Sequence, residues 1–82
     1  MRKYSCGDIM RSNDIYNIVG KNIKKYRKLN NLTQRQLADK LLLSESFIAK
    51  LESNTHQTIS LDTLEQISLV LNTDIKNLFD KE

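Results

Sequence analysis

The chain contains no proline and no tryptophan, and among its 82 residues there are only two glycines, one cysteine and one histidine. A single cysteine cannot form an internal disulfide or build a zinc site alone, so Cys6 is interpreted as a free thiol in a reducing cytosol. No apolar run approaches the ~20 residues of a membrane span, and no signal-peptide pattern is present. The sequence therefore predicts a soluble cytoplasmic protein without a metal or other cofactor and without contact to a membrane.

Candidate catalytic groups are equally sparse. His56 is the only histidine, Cys6 lies near the N-terminus, and no two carboxylates are predicted to share a cleft. Acid–base and nucleophilic catalysis need such groups within hydrogen-bond reach of a substrate or of each other. The sequence predicts a protein that is not an enzyme, and His56 is expected to meet solvent.

Positive charge is concentrated in the first part of the chain. Residues 1–32 contain eight Lys/Arg against two Asp/Glu, residues 33–52 contain three of each, and residues 53–82 contain two against five. A basic end on a small domain indicates that a polyanion binds on one side of it only. A run of charged residues is, by itself, more often just a surface exposed to solvent.

The abundance of Leu, Ile, Lys, Gln and Asn, with no proline, favours an all-α fold in a single domain. The domain is assigned to residues 17–82. Its first helix is predicted from about Tyr16 to Asn30. The inward stripe of this helix is predicted to be Ile15, Val19, Ile23 and Tyr26.

Residues 1–16 precede the domain and show little periodicity, so they are interpreted as an arm that is flexible or loosely docked. The arm has three basic side chains that would follow a DNA backbone or enter a minor groove, namely Arg2, Lys3 and Arg11. The alternative is a disordered tail whose charge has no function.

The run from Thr33 to Glu52 predicts two short helices joined by a tight turn. Thr33 and Gln36 have the spacing of a capping box, and Ser44 is a typical N-cap for the second helix. Its inward positions are Ile48 and Leu51. The side chains left pointing outward are Glu45, Ser46, Ala49 and Lys50. A short helix with one buried side and small or charged side chains on the other is typical of a major-groove reader.

Two further helices follow. Ser60 predicts the start of a fourth helix, Asn72 its end, and Asp74 the cap of a short final helix. The predicted core face of these two segments consists of Leu61, Leu64, Ile67, Leu71, Leu78 and Phe79.

The five predicted helices also carry a specific set of residues at fixed spacings. These are Val19, Gly20, Ile23, Leu32, Thr33, Gln34, Leu37, Ala38, Ser44, Ile48, Leu51, Glu52, Ser60, Leu61, Asp62, Thr63, Leu64, Leu78 and Phe79. With this set the chain resembles the lambda-repressor-like family of Cro-type and Xre-type regulators over about residues 19–79. The resemblance implies a compact five-helix lambda-repressor-like domain with a helix-turn-helix at helices 2 and 3. It also implies a sequence-specific DNA-binding transcriptional regulator of bacterial or phage origin.

The family usually has glycine at four positions that are occupied here by other residues. Asn31, Asn54 and Asn72 stand at three of them, and asparagine is the next best residue for a positive φ. The fourth is Leu42, in the turn between helices 2 and 3. A leucine held there at positive φ would cost on the order of 1 kcal/mol, unless the turn is built in another way.

The resemblance implies which residues contact double-stranded DNA. Base edges would be read by Glu45, Ser46, Ala49 and Lys50. Phosphates would be contacted by Gln34, Arg27, Phe47, Asn54 and Thr55.

Several of these assignments have an alternative, and Gln34 is either a phosphate contact or a solvated residue of the first turn. Arg27 is also expected to form a structural pair with Glu52. Phe47 either lies against the DNA backbone or packs over the turn, and partial burial is favoured. Asn54 and Thr55 are either phosphate contacts or plain loop residues.

One recognition helix covers about one half-site, so a homodimer on a palindromic operator is expected. The predicted dimer contact is an apolar patch of Leu69, Ile75 and Phe79, unless Leu69 is a surface leucine without consequence. The alternative function is an antitoxin or protein-binding adaptor with the same fold, in which the arm 1–16 binds a protein partner.

Overall fold

The computed structural model describes residues 13–53 and 59–80. Within these residues the chain forms four α-helices, which are α1 (Asn13–Leu29), α2 (Gln34–Leu41), α3 (Glu45–Glu52) and α4 (Leu61–Val70). A 3₁₀ helix (Ile75–Phe79) follows, and this part of the chain contains no strand. The all-α class is therefore confirmed, but a count of five α-helices is not, because the last element has the tighter 3₁₀ hydrogen-bond pattern.

Helix α1 begins at Asn13, earlier than the predicted start at Tyr16. The prediction placed the start near the first residue of the apolar stripe, whereas a helix extends as far as its backbone hydrogen bonds do. Residues 13–16 therefore belong to α1, although they were assigned to the arm. The remainder of the predicted arm lies outside the described residues.

The core is formed by inward residues of all five elements. The buried apolar side chains are Val19, Ile23, Leu37, Ala38, Ile48, Leu51, Leu64, Ile67, Leu71 and Leu78. Three residues that were predicted to face the core are exposed instead, since Ile15 retains 40%, Leu61 72% and Phe79 38% of its accessible surface. Ile15 and Leu61 stand in the first turns of α1 and α4, and both line a cleft with Phe79 that is open to solvent.

Three helices begin at the residues that the sequence indicates. The Thr33 hydroxyl accepts from the Gln36 amide at 3.0 Å, and the Gln36 side chain accepts from the Thr33 amide at 2.8 Å, which completes the capping box. The hydroxyls of Ser44 and Ser60 accept from the third residue of their helices in the same way. Asp74 stands at the N-cap of the 3₁₀ helix, but its side chain makes no capping hydrogen bond.

Three helices end with a residue whose φ angle is positive. This angle is 58° at Asn31, 58° at Leu42 and 57° at Asn72. At the end of α2, the Leu43 amide donates to the Ala38 carbonyl at 2.9 Å and the Leu42 amide donates to Asp39 at 3.3 Å. These two bonds define a Schellman motif, and the ends of α1 and α4 have the same pattern. The turn between α2 and α3 is therefore built in the usual way, with leucine at a backbone conformation that costs about 1–2 kcal/mol.

Gly20 sets the distance between α1 and α3. A Cβ atom at this position would lie 2.0 Å from the carbonyl oxygen of Leu51, so no larger residue fits without moving one of the helices. Because α3 crosses α1 at backbone contact distance here, its position is fixed against the longest helix of the domain.

Candidate nucleic-acid interface

Helix α3 presents a polar face to solvent. Ile48 and Leu51 are buried in the core, while Glu45, Ser46 and Lys50 are exposed. Glu45 stands in the first turn, where the positive end of the helix dipole stabilises its carboxylate, and Lys50 stands in the last turn. The helix therefore offers an acceptor, a hydroxyl and a cation on one side, which are groups that distinguish base edges.

Two more residues of α3 lie at the border of this face. Ala49 and Phe47 are half-buried, and Phe47 packs against the core. The partial burial of Phe47 agrees with the favoured interpretation, in which the ring covers the turn. Contact of the half-buried ring with a sugar–phosphate backbone stays a prediction.

Arg27 and Glu52, the two residues predicted to pair, form a bidentate ion pair between α1 and α3. The Arg27 Nε and Nη2 atoms donate to the two Glu52 carboxylate oxygens at 2.6 and 2.9 Å, and Nη1 donates to the Leu32 carbonyl at 2.7 Å. The two side chains are 9% and 3% exposed. Because three guanidinium N–H groups bind protein atoms, the first role of Arg27 is to hold α1, α3 and the start of α2 together.

Gln34 joins the same cluster from the first turn of α2. Its Nε2 atom donates to Glu52 Oε1 at 3.0 Å, which is the oxygen that Arg27 Nη2 also binds. The side-chain amide has two N–H groups, so one remains for an outside acceptor. Half-buried Gln34 is thus oriented at the N-terminus of α2, where backbone N–H groups and the dipole favour an anion. The sequence predicted a role for Gln34 but not this contact, because it joins residues 18 positions apart.

Two asparagines, one buried and one half-buried, position the remaining elements, and the sequence did not predict their contacts. Asn22 is 3% exposed, and its Nδ2 atom donates to the carbonyls of Leu78 and Asp80 at 2.8 Å each. Asn30 Nδ2 donates to the Leu71 carbonyl at 3.0 Å. The signal for Asn22 was its place beside Val19 and Ile23 on the inward stripe of α1, where an amide needs a partner.

The candidate dimer residues differ in exposure, and two of them border different depressions of the surface. Leu69 is 65% exposed and borders a depression of about 400 Å³, whose other lining residues are polar and lie mostly between α4 and the 3₁₀ helix. Phe79 borders a cleft of about 200 Å³ together with Ile15 and Leu61. Ile75 is half-buried and packs against the core.

Asn54 and Thr55, the predicted phosphate contacts after α3, lie outside the described residues, and so do His56 and Cys6. No helix in the described part of the chain combines the length and apolarity that a membrane span requires. The same part contains no group of three or more acidic, histidine or cysteine side chains placed to hold a metal.

The chain matches known proteins over most of its length. A helix-turn-helix family model matches residues 23–78. The control protein C.SmaI of Serratia marcescens is 33% identical over 69 residues, which cover 84% of this chain and 81% of that protein. The chain spans 59% of the length of the transcriptional regulator SinR of Bacillus subtilis.

Two solved structures of SinR have the same fold. One shows SinR, the master regulator for biofilm formation, in complex with DNA, with a TM-score of 0.70 and 32% identity over 76% of this chain and 98% of that chain. The other is a complex of SinR with the SinI protein, with a TM-score of 0.71 and 32% identity over 77% of this chain and 61% of that chain. The protein therefore belongs to the lambda-repressor-like helix-turn-helix family, which consists of DNA-binding transcription regulators and not of enzymes.

Proposed function

We propose that the protein is a sequence-specific transcriptional regulator that binds double-stranded DNA as a homodimer on a palindromic operator. The observation that carries this proposal is the polar face of α3, which stays exposed while its apolar face is fixed against α1 and α2. The SinR–DNA complex supports it, because that protein has the same fold at 32% identity.

In the proposed complex, α3 enters the major groove and its outward residues read base edges. Lys50 donates to guanine O6 and N7, and Glu45 accepts from cytosine N4. Ser46 bonds either kind of group, and Ala49 meets a thymine methyl. Because a carboxylate repels phosphate unless it finds a donor, Glu45 contributes to specificity more than to affinity.

Phosphates are contacted on either side of the reading helix. Gln34 donates from the N-terminus of α2 through the N–H group that Glu52 leaves free. Arg27, Phe47, Asn54 and Thr55 are the further phosphate-contacting residues. For Arg27 this contact uses an N–H group that is not engaged by Glu52 or Leu32.

A single eight-residue helix is about 12 Å long and spans one half-site. Two half-sites about 34–36 Å apart are read by a twofold dimer, which doubles the number of bases recognised. Leu69, Ile75 and Phe79 are the proposed dimer residues, and Leu69 is the most exposed of them.

Selection from a duplex library with about 20 randomised base pairs tests this proposal. The purified chain is expected to enrich one motif that consists of two inverted half-sites, and the centres of these half-sites are expected to lie one helical turn apart. Enrichment of no motif would contradict sequence-specific binding. Enrichment of a single half-site without symmetry would contradict the dimer.

A second candidate function is binding of a protein partner through the arm 1–16, as in an antitoxin or adaptor. It is favoured by the SinR–SinI complex, since SinR has the same fold and binds a second protein. Calorimetric titration with the product of an adjacent gene tests it, using the full chain and a variant that lacks residues 1–12. Equal binding of both forms would exclude residues 1–12 as the binding segment.

A further inference from the structure

Leu42 differs from the two other residues that end a helix at positive φ. The three Schellman motifs impose the same backbone requirement, and asparagine meets it at positions 31 and 72. Leucine stands only in the turn between α2 and α3, where φ is 58° and ψ is 39°. Backbone conformation therefore does not explain the choice of leucine at this position, because leucine meets that requirement less well than asparagine.

Packing within the domain does not explain it either. Leu42 retains 92% of its accessible surface, whereas its neighbours Leu41 and Leu43 pack against the core. The side chain therefore stabilises the folded domain very little, while its backbone is strained. A strained residue with an exposed apolar side chain is expected where that side chain is used in binding.

The position of Leu42 indicates what it binds. It precedes the α3 N-cap, Ser44, by two residues, so its Cα atom lies within about 7 Å of that of Ser44. The N-terminal residues of a recognition helix are those that contact base edges. Leu42 therefore lies beside the end of α3 that approaches the bases in the proposed complex.

We propose that Leu42 is a specificity-determining residue that contacts a thymine methyl group at the edge of the half-site. The inference rests on the proposed DNA-binding function. The thymine 5-methyl is the apolar group that base edges present in the major groove, and apolar side chains recognise thymine by contact with it. The contact adds an apolar element to a reading surface whose other members are mainly polar.

The substitution Leu42→Asn keeps a residue that tolerates positive φ and removes the apolar side chain. Urea unfolding is expected to show a higher midpoint than for the wild-type chain, because the backbone strain is relieved. Affinity for the selected duplex, measured by fluorescence anisotropy, is expected to fall by about 4-fold, which corresponds to the loss of one methyl-sized contact. A structural role for Leu42 would lower stability and affinity together.

The thymine is located by replacing each dT of the half-site with deoxyuridine, which removes only the 5-methyl group. The replacement at the Leu42 contact is expected to weaken the wild-type chain by about 4-fold and to leave the Leu42→Asn variant unaffected, whereas a replacement at the thymine that Ala49 meets weakens both proteins alike. Leu29→Asn, which changes another exposed leucine outside the helix-turn-helix, is the matched control and is expected to bind as the wild type does.

The outcomes separate this inference from the proposed function. If no duplex is preferred, both are wrong. If a duplex is preferred and Leu42→Asn binds it as tightly as the wild type, only the Leu42 contact is overturned. If Leu42→Asn binds more weakly but no deoxyuridine replacement distinguishes it from the wild type, the thymine methyl is overturned as its target.

Discussion

Arg27 of α1 and Glu52 of α3 share two parallel hydrogen bonds, and Glu52 also binds Gln34 at the start of α2. One carboxylate thus connects the three helices that position the candidate DNA-binding surface. The Arg27 guanidinium donates to both carboxylate oxygens, and the Gln34 amide donates to one of them, Oε1. The stability of the domain and the position of the proposed phosphate-binding amide therefore depend on the same residue.

Arg27→Ala is expected to lower the free energy of unfolding by about 3–5 kcal/mol, because it leaves the carboxylate of Glu52 buried without its charged partner. The double substitution Arg27→Met with Glu52→Leu is expected to recover most of this loss, since it removes both charges. Urea unfolding of the three proteins checks the prediction. A double variant as unstable as Arg27→Ala would show that the charge is not the cause.

Gly20→Ala is expected to destabilise the domain by about 1–3 kcal/mol, because the new Cβ atom would overlap the Leu51 carbonyl oxygen. At an exposed helix position the same substitution stabilises a protein by about 0.5–1 kcal/mol. The sign of the change in the free energy of unfolding therefore distinguishes close packing from helix propensity. Thermal unfolding measures the effect, with Lys21→Ala on the exposed face of α1 as the control. A higher melting temperature for Gly20→Ala would contradict the close approach of α1 and α3.

Gln34→Ala is expected to weaken binding to all duplexes alike, by about 10-fold, because it removes a hydrogen bond to a charged phosphate and no base contact. Since glutamine is neutral, the dependence of affinity on salt is expected to stay unchanged. Anisotropy titrations with the selected and a shuffled duplex at three salt concentrations measure both quantities. Loss of affinity for the selected duplex alone would contradict a phosphate contact.

Leu69→Glu is expected to shift the chain towards the monomer, since it places a charge in the proposed apolar dimer contact. Light scattering coupled to size-exclusion chromatography measures the mass, and Glu65→Lys, an exposed change on α4, controls for altered charge. Binding to the palindrome is expected to weaken more than binding to an isolated half-site. An unchanged dimer mass would exclude Leu69 from the interface.

The starts of α2, α3 and α4 were predictable because a cap is a local signal. Thr33, Ser44 and Ser60 each lie three residues before the amide that they bind. The end of α2 was left open, because a leucine at positive φ and a differently built turn are both compatible with the sequence. Burial near helix ends was less predictable, and Leu61 shows why. Its periodicity places it on the core stripe of α4, but its exposure depends on which elements cover the first turn.

Contacts between distant residues could not be read from the sequence unless the family resemblance supplied them. The pairing of Arg27 with Glu52 was predicted in this way. The bond from Gln34 to Glu52 and the bonds from Asn22 to the carbonyls of Leu78 and Asp80 were not, since they depend on how the helices are arranged. The outward face of α3 was predictable because only one arrangement of an eight-residue helix buries both Ile48 and Leu51.

The ratio of the dissociation constants for the selected duplex and for a shuffled duplex, at one salt concentration, tests the central claim most directly. The wild-type chain is expected to prefer the selected duplex by about 10³-fold or more. Lys50→Ala is expected to reduce this ratio by about 10-fold or more, through loss of a guanine contact on α3. Equal dissociation constants of the wild-type chain for the two duplexes would contradict the assignment of α3 as a base-reading helix.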